Sequence, residues 1–111
     1  MQINEYLYVS GSIGIDPSSG LLVTGGVLNE TKQALKNIEA ILDAANCNFT
    51  HVVRTTIMLV NISDFALVNQ IYQTFFIELF PARAVYQAAA LVKNAQVEIE
   101  AIAVVGDIID V

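Results

Sequence analysis

Few residues in this chain are placed to do chemistry, and they sit in three short segments. Arg83 follows Phe80-Pro81-Ala82 and opens a stretch, 84–92, that carries no charge. An arginine there is either a surface cation whose stem covers apolar neighbours or a rigid fork for a carboxylate or phosphate. Glu98 and Glu100 stand at alternate positions in Val97-Glu98-Ile99-Glu100-Ala101. The two-residue period of a strand puts both carboxylates on one face and Val97, Ile99, Ala101 and Ala103 on the other. That face is either solvated or lines a polar pocket, where a carboxylate can serve as acid or base. Ser10-Gly11 lies inside the first apolar segment. Glycine within a strand marks a plain bulge or a close approach by ligand or backbone.

Asn69 interrupts an apolar helical stripe, and a buried amide must be hydrogen-bonded, so structural pinning is its expected task. His51 and Cys47 are the single histidine and the single cysteine. They are too few for a metal centre, and no nucleophile–base pair is evident around them. His51 reads as a partly exposed residue opening a strand, and Cys47 as a small packing residue. No P-loop, GxGxxG, HExxH or GxSxG pattern is present.

These residues must be held by elements whose periods can be read. Tyr6 to Ile15 alternates as a strand, Asp16-Pro17-Ser18-Ser19-Gly20 is a concentrated turn, and Leu21 to Thr24 returns as a second strand of a hairpin. From about Leu28 to Ala45 the period becomes helical. Ala34, Leu35, Ile38, Ile41, Leu42 and Ala45 form the apolar stripe, with Glu30, Lys32, Lys36, Glu39 and Asp43 on the other face. Asn46 follows as a left-handed cap. His51 to Val60 is a strand rich in β-branched residues. Ser63 or Asp64 caps a second helix, whose stripe is Phe65, Val68, Ile71, Tyr72, Phe75, Phe76 and Leu79 and which ends at Phe80-Pro81. Arg83 to Ala89 and Gln96 to Val105 are two further strands, with Lys93-Asn94 in the turn between. The order β-β-α-β-α-β-β predicts an α+β two-layer sandwich, with both helices on one face of an antiparallel or mixed sheet.

At 111 residues, the chain is long enough for a single domain, 1–111. Its net charge of −6, with 5 basic residues, argues against a nucleic-acid partner. Mean hydropathy is high, at +0.58. Yet the most apolar stretch, 65–80, is broken by Asn69, Gln70, Gln73, Thr74 and Glu78, so no membrane span is expected. The apolar excess points instead to surface buried between subunits, on the sheet face that the helices leave bare. A lone cysteine precludes an intrachain disulfide and suggests a reducing compartment, and the first residues carry no signal-peptide pattern.

Five segments together resemble the YjgF/Rid family of reactive imine deaminases, and within it the eukaryotic branch of perchloric-acid-soluble, translation-inhibitor-like proteins. They are LYVSGSIGIDPSSGLLVTGG, KQALKNIEAILDAANC, VVRTTIMLVNISDFALVNQIYQTFF, FPARAVYQAAAL and VEIEAIAVV. The resemblance implies a chorismate-mutase-like fold and a homotrimer whose sheets form a central barrel, with clefts between subunits. It implies that Arg83 binds a substrate carboxylate, that Glu98 orients water and moves protons, and that Ser10 and Gly11 line the same pocket.

The implied reaction hydrolyses 2-iminobutanoate, 2-iminopropanoate and their enamines to 2-keto acids and ammonia, without a cofactor or metal, in a cytoplasmic or mitochondrial setting. Two other activities are compatible with the resemblance: an endoribonuclease or translation inhibitor, and a catalytically silent trimer that binds metabolites or acts as a chaperone. The chain departs from the family pattern at three points. Met1 falls after an upstream segment, roughly IGPY-S-Q-A, whose tyrosine lines the pocket, so either this copy is truncated or its cleft is more open. Val85 stands where several members have cysteine. Leu91-Val92-Lys93 replaces Leu-Pro-Lys, which loosens the turn before the glutamate strand.

Overall fold

The computed structural model describes residues 2–3, 5–77 and 80–105. Its elements are β1 (Gln2–Ile3), β2 (Tyr6–Ser12), α1 (Val27–Ala44), β3 (Val52–Leu59), α2 (Phe65–Phe75), β4 (Ala82–Gln87) and β5 (Val97–Val104). The strands form one five-stranded sheet in the order β1-β2-β5-β3-β4. β5 runs antiparallel to both β2 and β3, whereas β4 lies parallel to β3, which makes the sheet mixed. A parallel neighbour cannot be reached by a tight turn, and α2 supplies the crossover.

Alternation along the strands decides what is buried. Leu7 and Val9 of β2, Ile57 of β3 and Val97, Ile99, Ala101 and Ala103 of β5 pack against Ala34, Leu35, Ile38 and Leu42 of α1 and Val68 and Tyr72 of α2 in one core. The opposite face carries Tyr8, Arg54, Glu98, Glu100, Ile102 and Tyr86, by register with one another across the strands. Among the described residues no helix covers it, and Tyr6, Tyr8 and Tyr86 there are 46%, 43% and 52% exposed.

Four features depart from the sequence expectation. The hairpin's return strand, Leu21 to Thr24, shrinks to a single bridge between Ile15 and Leu22. The chain must turn immediately through Gly25 and Gly26, both at positive φ (106° and 90°), to start α1. Glu30, assigned to the polar face of α1, is buried, and Ile41, assigned to its stripe, is exposed. Asp64 stands at the N-cap position of α2, as one of the two expected, but its side chain makes no capping hydrogen bond. The Asn61 side chain instead accepts the Ser63 N–H at 3.1 Å, and a short 3-10 turn, Ile62–Asp64, leads into the helix. Finally, α2 stops at Phe75, because Phe76 leaves helical geometry and stacks its ring on Tyr72 at 4.3 Å. Leu79, the last residue of the expected stripe, lies outside the described residues. Asn46 takes the left-handed conformation expected of it, at φ 59°.

Gly14 shows how tightly α1 joins the sheet. A Cβ built there would sit 2.7 Å from the Glu30 Cα and 2.8 Å from its carbonyl oxygen. Both are backbone atoms of a packed helix and cannot yield. Gly14→Ala is therefore expected to destabilise the fold by about 2–3 kcal/mol in a denaturant titration, an overpacking cost. A midpoint indistinguishable from wild type would contradict this geometry.

Candidate active site

Arg83 is the second residue of β4, opposite Thr55 of β3, and so lies on the helix side of the sheet. Its Nη1 donates to the Asn69 Oδ1 at 2.7 Å. The guanidinium carbon stands 4.9 Å from the centre of the Tyr72 ring and 5.1 Å from that of Phe65. An arginine held by two aromatic faces and one amide is pre-oriented, not a drifting surface cation. Tyr72 is fixed in turn by a buried hydrogen bond of 2.8 Å between its hydroxyl and that of Thr55. Burial pushes the Tyr72 phenol up, while the Thr55 hydroxyl and the Arg83 charge pull it down. The exposed side of Arg83 faces a cavity of about 400 Å³ lined by Asn69, Gln73, Phe80 and Pro81. Among the described residues, Nη2 and Nε of Arg83 have no hydrogen-bond partner, which leaves the edge of the fork that recognises a carboxylate.

Glu98 lies elsewhere. It is half-buried on the uncovered face, opposite Met58 of β3. The β2–β5 register shifts between Val9 and Ser12, so that Ser10 and Gly11 form a bulge. The bulge reading of Gly11 holds, and what comes close is neither ligand nor backbone but a side chain: a Cβ there would fall 2.3 Å from Glu98 Oε2. The absent side chain makes room for the carboxylate. Ser10 lines an adjoining cavity of about 320 Å³ with Tyr8, Arg54, Thr56, Glu100 and Ile102. Arg54 escaped the sequence reading. The alternation of β3 placed it on the face opposite Thr55, but its proximity to Glu100 follows only from pairing β3 with β5.

Within one chain, then, Glu98, Gly11 and Ser10 come together and Arg83 does not join them. Arg83 and Glu98 face opposite sides of the sheet. Their register partners on β3 are Thr55 and Met58, so the two are offset by about 10 Å along the strands and about 10 Å across them at ordinary strand spacings. A small imino acid cannot touch both.

The remaining candidates are structural. The Nδ1 of His51 accepts the Asn48 N–H at 3.1 Å and completes a capping box. Cys47 is buried beyond the end of α1. Asn69 does pin, as expected, but what it pins is Arg83. Among the described residues no His/Cys/Asp/Glu group could hold a metal ion, and no helix is long and apolar enough to cross a membrane.

A 2-iminobutanoate/2-iminopropanoate deaminase of Rattus norvegicus is 60% identical over 104 residues, covering 94% of this chain and 76% of that protein. The human protein of the same name is 57% identical over 104 residues, with the same coverage of 94% and 76%. In structure, the conserved Rid-family protein YyfA of Yersinia pestis superposes with a TM-score of 0.91 at 44% identity, covering 94% of this chain and 83% of that one. The family model described as Endoribonuclease L-PSP matches residues 1–105, so this chain belongs to that family, the YjgF/Rid family that the FPAR and VEIEAIAVV segments resemble.

Proposed function

We propose that this protein is a 2-imino acid deaminase whose sites form between neighbouring copies of a homotrimer, Arg83 from one chain facing Glu98, Gly11 and Ser10 of the next. The observation that carries the reading is the division of the two halves. A pre-oriented arginine lining one cavity, and a carboxylate set against a glycine whose neighbour Ser10 lines another, lie on opposite faces of one sheet. The uncovered tyrosine-bearing face supports a second copy as the element that brings them together. The names of the rat and human relatives supply the substrate class.

In this reading Arg83 takes the substrate carboxylate through Nη2 and Nε. Water adds its oxygen to the imine carbon, one proton passing by way of Glu98 to the nitrogen. The resulting carbinolamine releases ammonia as its hydroxyl proton is transferred to the nitrogen, and the 2-keto acid remains. The imine carbon is electrophilic already, so holding the acid and relaying a proton is most of the work. An RNA-cleaving activity, which the family's description names, finds less support. Net charge is −6, and the one histidine is engaged in the Asn48 cap.

The test is complementation. Arg83→Ala and Glu98→Gln chains are each expected to be inactive in releasing ammonia from freshly generated 2-iminobutanoate. Refolded together at equal amounts, they should regain about a quarter of wild-type turnover, since random assortment in a ring pairs an intact arginine with an intact glutamate at that frequency. Light scattering should give a mass near three chains. No recovery in a mixed trimer, or a monomeric mass for the active protein, would defeat the shared site.

A further inference from the structure

Glu30 is the buried acidic group that this chemistry leaves unused. It stands in the first turn of α1 at 3% exposure. Acidic residues suit a helix N-terminus, but they seldom go to the interior without a partner. Its partner is distant in sequence: Oε1 accepts the Gln96 N–H at 2.8 Å, across 66 residues. Gln96 is held from its other side as well, because its carbonyl accepts the Val60 N–H at 3.2 Å. Burial pushes the Glu30 carboxyl up, and the Gln96 hydrogen bond opposes that shift.

The position of Gln96 gives this contact its meaning. It directly precedes β5, and Glu98 follows two residues on. Before it, Lys93 and Asn94 both adopt left-handed conformations, at φ 56° and 58°. Such backbone is disfavoured for residues with a Cβ, so the turn by itself is a weak guide for the strand that follows. The other end of Glu30 is equally fixed, since its Cα lies too close to Gly14 for any side chain there. Gly14 lies just past Gly11 on the same chain segment, and Gly11 is the residue against which Glu98 rests. Glu30 thus ties the start of β5 to the segment that forms the opposite wall around Glu98.

We propose that Glu30 is a positioning residue, whose hydrogen bond to Gln96 sets the start of β5 so that the Glu98 carboxylate lies against Gly11. The proposal rests on Glu98 as the proton-handling group. A strand transmits a shift of its first residue with little loss over two residues, and misplacement by about 1 Å can lower a rate on the order of 100-fold.

The experiment compares Glu30→Met with Glu30→Gln in the full chain. Methionine keeps length and apolar contact but offers no strong acceptor, whereas glutamine keeps an acceptor oxygen. For Glu30→Met the expected result is a fall in kcat on the order of 10-fold to 100-fold. KM for 2-iminobutanoate should hold within about twofold, because Arg83 sits on another strand. Glu30→Gln should recover most of the lost rate. The Gly11 amide resonance, read by ¹H–¹⁵N NMR, should move in the methionine variant and return in the glutamine one.

A fall in kcat no larger than the fraction of unfolded protein accounts for would overturn the proposal. So would an unmoved Gly11 resonance in the methionine variant, or a glutamine variant no better than methionine. Should the wild-type protein itself fail to hydrolyse 2-iminobutanoate, the deaminase reading falls, and the Gly11 resonance still decides what Glu30 does.

Discussion

Replacing Arg83 with alanine is expected to lower kcat/KM for 2-iminobutanoate by roughly 100- to 1000-fold, the equivalent of about 3–4 kcal/mol of charge-assisted hydrogen bonding to the substrate carboxylate. The fold should survive. Arg83 is exposed and makes one side-chain hydrogen bond among the described residues, to the half-buried Asn69, whose amide can turn to water. Thermal unfolding should therefore move by only a degree or two. Lysine should not rescue, because an ammonium on a flexible stem cannot present two parallel donors while lying over the Tyr72 and Phe65 rings. Steady-state kinetics on the two variants decide the matter. Near-normal turnover by Arg83→Lys would reduce the site to a simple positive charge, and near-normal turnover by Arg83→Ala would remove Arg83 from it.

Glu98→Gln is expected to act differently. The amide fills the same space against Gly11, so substrate binding and stability should change little. What disappears is the group that takes a proton from water, and general acid–base help contributes about 100- to 10,000-fold to rate. The loss should appear in kcat, with KM held by Arg83 within about twofold. An active Glu98→Gln enzyme would shift attention to Glu100, which lines the cavity around Ser10 and Arg54 on the same face. The contrast between the two variants, a binding defect and a rate defect, is more telling than either loss alone.

How much of this was legible in the residues depends on how local each feature is. The helical period of α1 predicts 28–45 against the observed Val27–Ala44, and the β-branched run at 51–60 predicts β3, observed as Val52–Leu59. In both, neighbours in sequence are also neighbours in space. The separation of Glu98 from Ile99 across the sheet is likewise a matter of alternation alone. Glu30 failed for the opposite reason. A helical wheel places it among charged residues, and its burial depends on Gln96 and Gly14, which the chain delivers from far away. The same holds for Arg54 and Glu100, which line one cavity only because β3 pairs with β5. The cap of α2 was legible as a position, Asp64, but not as a bond: the capping hydrogen bond comes one short turn earlier, where the backbone path brings Ser63 to the Asn61 side chain.

The sheet order has a consequence for how the protein is made. β5 is the last of the described strands in the chain, yet it lies between β2 and β3. Until it leaves the ribosome, the β1–β2 pair and the β3–β4 pair have no strand in common, and Leu7 and Val9 wait for partners at Ala103 and Ala101. A nascent chain stalled before residue 97 holds two open edges and an uncovered apolar layer, the condition in which stray strand pairing is most dangerous. Closing the sheet therefore waits for the last of its described strands, and the strand that closes it also delivers Glu98.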